Sequence, residues 1–247
     1  DLVGDNALLD SAMAYAYFQY GNLGIRLEDS AAKAGEYARK ALALNPSSPK
    51  ALVILGLIEG TFRGNQKESV RYLKKALSLN PNDPEALFWL ATTYCFCFGK
   101  IPETVPLVER LARVDPLNLQ VYNGWGMVYF SEGRFDLAAN VIGKSYQADP
   151  GNIGTAGGYA MSLIYDRKIG EASSVIDQMV KTGPDNVFTK LALLYKYAFL
   201  NDRTNLFKVM EDPIFLEGVK TDPGASSWTA SALALIGEKE KALDWLE

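Results

Sequence analysis

The sequence predicts an all-α protein, about seven antiparallel helix pairs wound into one α-α superhelix, with no β-sheet. Three observations carry that expectation. First, an acid or amide followed by proline recurs at Asn45-Pro46, Asn80-Pro81, Asp115-Pro116 and Asp149-Pro150, and Gly183-Pro184 continues the series. These prolines, 46, 81, 116, 150 and 184, are five of the chain's 11, which random placement would rarely produce. A proline cannot continue a helix, so each marks the end of one helix and the approach to the next. Second, between consecutive prolines the apolar residues recur at three- and four-residue spacing in two blocks, the pattern of two one-sided helices. Third, a short Gly- or Asn-containing break, such as Arg63-Gly64-Asn65 or Glu132-Gly133-Arg134, separates the blocks. Each unit is therefore a helix, a turn and a helix.

Taken in order, the units are 6–46, 47–81, 82–116, 117–150, 151–184, 185–223 and an incomplete 224–247, expected to form one domain over 1–247. In the first, a helix over 6–20 is followed by a long connection, 21–29, and a helix to Leu44. The first and second close on the similar stretches Ala41-Leu42-Ala43-Leu44 and Ala76-Leu77-Ser78-Leu79, which read as helix C-terminal turns. Small residues recur where two helices would cross closely: Gly56, Ala91 and Gly126. Gly56 precedes Gly64 by eight positions but Gly126 precedes Gly133 by seven, so the second and third units carry one extra residue at the turn. The fifth unit opens Gly151-Asn-Ile-Gly-Thr-Ala-Gly-Gly158, a low-propensity start to a helix rather than a phosphate loop, since no Lys-Ser or Lys-Thr follows and no strand precedes it. In the sixth, Asp212-Pro213 is expected to end a helix and leave 212–223 as the least regular segment, filled by a loop or short helix. A seventh pair is expected to start near Ser226, turn at Gly237 and leave Leu243 and Leu246 partly unburied.

Composition removes several function classes. The chain has no histidine, which takes away the commonest general acid/base and the commonest metal ligand. Neither a catalytic site nor a metal or other cofactor is expected. Carboxylates such as Glu103, Glu109 and Asp136 read as solvated helix-surface charges with no partner at catalytic spacing. With 25 basic against 29 acidic residues, scattered along the chain, nucleic acid is not an expected partner. No apolar run reaches the ~18–20 residues of a membrane span, so no membrane insertion is expected. The two cysteines, Cys95 and Cys97, are two positions apart and point to different faces of a helix, which argues against a disulfide. A cytoplasmic location is expected. The start Asp1-Leu2-Val3 has the look of a trimmed or processed chain, and the ending inside a helix suggests further residues in a parent protein.

The fourth unit, with Tyr122, Trp125, Gly126 and Tyr129 in the first helix, Gly133 at the turn, Ala138 in the second helix and Pro150 at the close, resembles the tetratricopeptide repeat and its W-x-x-L-G-x-x-Y pattern. Leu87, Leu90, Ala91 and Tyr94 match the same positions in the third unit. In the second, Leu52, Leu55 and Gly56 match, and Glu59 departs from it. Ala14-Tyr-Ala-Tyr-Phe18 with its long connection, and the ending over 235–246, are similar to the tetratricopeptide regions of bacterial adenylate cyclases, Ser/Thr kinases and winged-helix regulators. That resemblance implies a non-catalytic interaction or scaffolding module, a sensory or adaptor part of a larger signalling protein, with a protein or peptide partner.

In such repeats the first helix of each pair lines a concave groove, with positions 2, 5, 9 and 12 turned toward it. Counted here, that stripe supplies Lys50, Val53 and Leu57 from the second unit and Glu85, Phe88 and Thr92 from the third. The fourth supplies Gln120, Asn123, Met127 and Phe130, and the fifth Met161. The expected partner-binding residues are Val53, Leu57, Phe88 and Thr92, followed by Asn123, Met127, Phe130 and Met161. Apolar and poor in cations, this stripe suits an amphipathic helix or hydrophobic segment better than an acidic tail. The alternative is homotypic assembly, in which the chain self-associates through exposed solenoid ends.

Overall fold

The computed structural model of the chain describes residues 6–22, 27–221 and 223–246. Among these there is no strand, and they group into two compact units, one ending at Pro116 and the other starting at Leu117.

Unit 1 contains α1 (Ala7–Asn22), α2 (Leu27–Leu44), α3 (Pro49–Thr61), α4 (Gln66–Leu79), α5 (Pro84–Thr92) with a π-helical turn over Thr93–Cys97, and α6 (Ile101–Val114). Unit 2 contains α7 (Leu119–Ser131), α8 (Phe135–Ala148), α9 (Ile153–Tyr165), α10 (Ile169–Thr182), α11 (Val187–Phe199), α12 (Arg203–Met210), α13 (Pro213–Thr221), α14 (Pro223–Leu235) and α15 (Lys239–Asp244). Within each unit consecutive helices pack on one another as antiparallel hairpins, and first helices also pack on first helices, α1 on α3, α7 on α9 and α9 on α11.

The joint between repeats is written in four residues. At Asn45, Asn80 and Asp149 the side-chain oxygen accepts the N–H two residues on, at 3.1, 3.3 and 3.2 Å, which is why an acid or amide precedes the proline. The backbone then closes a turn three residues on, as in Ser48 N–H to Asn45 C=O at 3.0 Å. That third residue is the N-cap of the next helix: Ser48, Asp83, Asn118, Asn152 and Asn186 each accept a backbone N–H of the first turn. Proline, turn and cap thus repeat together.

The turn inside each hairpin needs one residue in the left-handed region. Gly64, Gly99, Gly133 and Gly237 supply it, and Arg167 and Asn201 do so at φ 64° and 52°. In unit 2 the next N–H reaches back five residues, Arg134 to Tyr129, Lys168 to Leu163, Asp202 to Tyr197 and Glu238 to Leu233. In unit 1 it reaches back six, Asn65 to Glu59 and Lys100 to Tyr94. The extra residue counted in the second and third units is absorbed there, in the third as a π turn.

First helices are apolar nearly all round and second helices on one side only. Every residue from Ala51 to Ile58 of α3 is buried, whereas α4 buries Ser69, Leu73 and Ala76 and turns its charges outward. Unit 1 is cored by Phe18, Leu52, Ile54, Ile58 and Leu73, unit 2 by Leu163, Ile164, Ile176, Leu194 and Phe215.

Four expectations change. The described residues hold 15 α-helices, and α13 is the short helix, one of the two fillings expected for 212–223. Pro213 starts that helix and ends none: α12 stops at Met210, and Asp212 caps α13 by accepting from Ile214 and Phe215. Segment 212–221 is a helix and its cap rather than an irregular stretch, and it carries fully buried Phe215 and the ion pair from Lys190 Nζ to Asp212 Oδ2, 2.5 Å. α14 starts at Pro223, three residues before Ser226. The connection expected over 21–29 is shorter, since Gly21, Asn22 and 27–29 are helical, and 23–26 lie outside the described residues.

Candidate interaction surface

Position 2 of three successive first helices in unit 1 holds Tyr15, Lys50 and Glu85, spaced 35 residues apart. Gln19 Nε2 donates to the Tyr15 hydroxyl at 2.7 Å, and Lys50 Nζ lies 5.7 Å from the centre of the Tyr15 ring. The Tyr15 hydroxyl in turn hydrogen-bonds the Glu85 carboxyl. Burial pushes the Glu85 carboxyl above the usual carboxylate range, and its bond to Tyr15 and the charge of Lys50 offset only part of that. Lys50 and Glu85 were legible on the stripe. Tyr15 was missed, although the same 35-residue spacing reaches it.

The rest of the unit 1 stripe divides. Val53 and Leu57 are buried in the core. Phe88 and Thr92 are half-buried; Phe88 stands edge-on to Trp89 with centroids 5.6 Å apart, and the Thr92 hydroxyl donates to the Phe88 carbonyl at 2.9 Å.

In unit 2, Met127 and Met161 are likewise buried. Asn123 is half-buried and engaged within the unit: its Nδ2 donates to Thr155 Oγ1 at 3.1 Å, while its Oδ1 is buried without a hydrogen-bond partner. Phe130 is half-buried at one end of an aromatic row. It meets Phe135 and Tyr165 with centroids 5.2 and 5.3 Å apart, and Tyr165 meets Phe199 at 5.1 Å. The physical reason so much of the stripe is enclosed is that it faces the next first helix. At Gly157, on the α9 stripe, an added Cβ would lie 3.6 Å from Phe188 Cβ of α11. Spacing identified the stripe; only packing separates its covered members from its open ones.

Cys95 is buried and Cys97 exposed, and they form no disulfide. Among the described residues, no cluster of three Cys, Asp or Glu is placed to hold a metal, and no helix is long and apolar enough to cross a membrane.

This is the architecture of a helical-hairpin repeat protein. Residues 49–83 and 72–103 each match a model of the tetratricopeptide repeat. Among solved structures the chain is similar to PilW, described as a widely conserved type IV pilus biogenesis factor. The two share 14% identity over 85% of this chain and 97% of that one, with a TM-score of 0.62. It is also similar to a tetratricopeptide repeat protein from Parabacteroides merdae, 13% identical over 94% and 82%, TM-score 0.60. PilF of Pseudomonas aeruginosa is 19% identical over 84% and 97%, TM-score 0.54. At these identities the likeness is one of fold. No curated protein matches the chain. Residues 49–103 thus match the tetratricopeptide repeat, the chain shares the fold of such proteins, and this fold supports a protein–protein interaction or scaffolding module.

Proposed function

We propose that the chain is a non-catalytic interaction module that holds a peptide or helix of a protein partner against its first-helix faces, as a cytoplasmic adaptor part of a larger bacterial signalling protein. Phe88 is the apolar anchor of unit 1 and Phe130 that of unit 2, with Thr92 and Asn123 beside them. The observation that carries this reading is the exposure left on those two rings where Val53, Leu57, Met127 and Met161 are enclosed. A partner burying a phenylalanine gains on the order of 1–3 kcal/mol from it. The resemblance to regions attached to bacterial cyclases, kinases and regulators supports the adaptor role, and a sequence without histidine supports the absence of catalysis.

The test compares Phe88→Glu and Phe130→Glu with Lys75→Glu, a charge reversal on the exposed side of α4. Thermal melting first establishes that each variant folds. The expected result is at least tenfold weaker binding of a verified native partner by a phenylalanine variant, with Lys75→Glu unchanged. Full binding by both phenylalanine variants, with binding lost in Lys75→Glu, overturns the assignment.

A further inference from the structure

Glu85 stands on the stripe of α5 one turn before Phe88, so a carboxyl and an apolar ring share a helix face, about 4.5 Å apart along the axis. Both residues are half-buried. The carboxyl is poorly served. The Tyr15 hydroxyl, itself held by Gln19 Nε2 at 2.7 Å, gives it one hydrogen bond, whereas an ionised carboxylate has about four acceptor sites. Lys50 does not form an ion pair with it, because the ammonium lies over the Tyr15 ring instead, 5.7 Å from the centre. The charge of Asp83, whose Oδ1 caps the Ala86 N–H at 2.9 Å, acts on Glu85 against that of Lys50. Burial therefore outweighs the interactions that favour the charged form, which is why the carboxyl sits above the usual carboxylate range. What this part of the stripe lacks is a positively charged donor.

We propose that unit 1 selects a partner helix carrying an arginine one turn from an apolar residue, with the guanidinium on Glu85 and the apolar side chain on Phe88. This rests on the reading that first-helix faces hold a partner, and it adds which partner they take. A guanidinium supplies what Glu85 is missing. It brings two parallel N–H donors to a carboxylate, and it is less strongly hydrated than an ammonium, so it enters a half-buried site at lower cost. The spacing agrees as well. Residues three or four apart on a helix lie on one face, so an arginine and a leucine at that separation reach Glu85 and Phe88 together. An acidic segment would meet Lys50 but set its charge against both Glu85 and Asp83. A wholly apolar helix would cover Glu85 and leave its free oxygen sites unpaired.

The test selects a displayed library of random helix-forming peptides on the whole chain. Binders are expected to carry an arginine three or four residues from a leucine, phenylalanine or methionine. The strongest is then synthesised with its arginine and with citrulline, which keeps the shape and removes the charge, and both are titrated calorimetrically. Citrulline is expected to weaken binding to the parent by at least about tenfold and binding to Glu85→Gln by less than about twofold. Glutamine retains an acceptor for the Tyr15 hydroxyl, and melting establishes that the variant folds. Apolar binders without a basic residue overturn the proposal and leave the groove reading standing. Acidic binders weakened by Lys50→Met overturn it in favour of an anion site. An equal loss with citrulline in parent and Glu85→Gln places the arginine elsewhere and overturns it too. Failure to select any peptide also overturns it, while the groove reading is decided separately by Phe88→Glu with a native partner.

Discussion

Unit 1 closes two hairpins, at Gly64 and Gly99, with a backbone bridge spanning six residues, while unit 2 closes four with a bridge spanning five and accepts Arg167 and Asn201 where those two use glycine. The extra residue gives unit 1 slack at its turns. The α7–α8 hairpin of unit 2 is packed more closely at this point than the α3–α4 hairpin of unit 1: a Cβ added to Gly126 would clash with the side chain of Ile142, whereas one added to Gly56, at the equivalent position, would lie 3.1 Å from Leu73 Cγ. The interiors differ as well. Unit 2 links α7, α9, α11 and α14 through an aromatic row from Phe130 through Tyr165 and buried Tyr195 to Trp228, and the Tyr195 hydroxyl donates to the Trp228 carbonyl at 3.0 Å. Unit 1 has a titratable ladder, Tyr15, Lys50 and Glu85, on the matching side of its first helices. One hairpin design thus tolerates either tight aromatic packing or a looser turn with a partly desolvated carboxyl.

The largest expected effect comes from close packing. Gly126→Ala should destabilise unit 2 by about 1–3 kcal/mol through overpacking against Ile142. Gly56→Ala should be near neutral, since the gain in helix propensity of up to about 1 kcal/mol offsets the small shift asked of Leu73. Equal losses on urea denaturation would break the comparison. Next, Tyr195→Phe should cost about 0.5–1.5 kcal/mol, the worth of one buried hydrogen bond. Hydrogen exchange should report faster opening of unit 2 amides and leave those of unit 1 unchanged.

In the opposite direction, Gly158→Ala should stabilise unit 2 by up to about 1 kcal/mol. An added Cβ there meets only Ile142 Cδ1, at an ordinary 3.8 Å, and the helix gains rigidity at its weakest stretch. A fall in melting temperature would show that α9 needs this glycine for a reason other than room.

The smallest expected effect depends on pH, and its sign separates the units. Glu85 is held above its unfolded value, chiefly by burial, so its contribution to folding is full below the ordinary carboxylate value and is lost as pH rises through the raised one. Asp212 is held below its ordinary value, first by the bond from Lys190, and its contribution is lost as pH falls through the lowered value. Mild acid should therefore favour unit 1 and leave unit 2 unchanged, and only stronger acid, below the ordinary carboxylate value, should disfavour unit 2. Glu85→Gln should flatten the pH dependence of unit 1 alone, followed by the fluorescence of Trp89, the only tryptophan before residue 117. Parallel changes in both units would contradict the two environments.

The hairpins, their period and their joints were legible because each depends on neighbours within a few residues. Asn45 bonds its own turn, Ser48 caps the helix it begins, and Gly64 adopts a conformation that other residues resist. Even the extra residue before Gly64 and Gly99 could be counted in advance. Reading Pro213 as a stop failed for a related reason. Proline is equally at home in the first turn of a helix, and the Asp212 cap that decides the matter is supported by Lys190, 22 residues away.

The candidate surface was legible only as a stripe. Helical periodicity placed Val53, Leu57, Phe88 and Thr92 on one side, as it placed Asn123, Met127, Phe130 and Met161, because that depends on spacing alone. Exposure does not depend on spacing. Met161 is buried and Ser231, at the same register, is exposed, because the helix covering the first has no counterpart over the second among the described residues. Sequence by itself determined the class, the recurring proline joints and the glycine turns at Gly64, Gly133 and Gly237, whose causes are local backbone sterics and hydrogen bonding. Tertiary structure decided which apolar residues are spent on the core and which stay open to a partner, because burial is a sum over neighbours far along the chain.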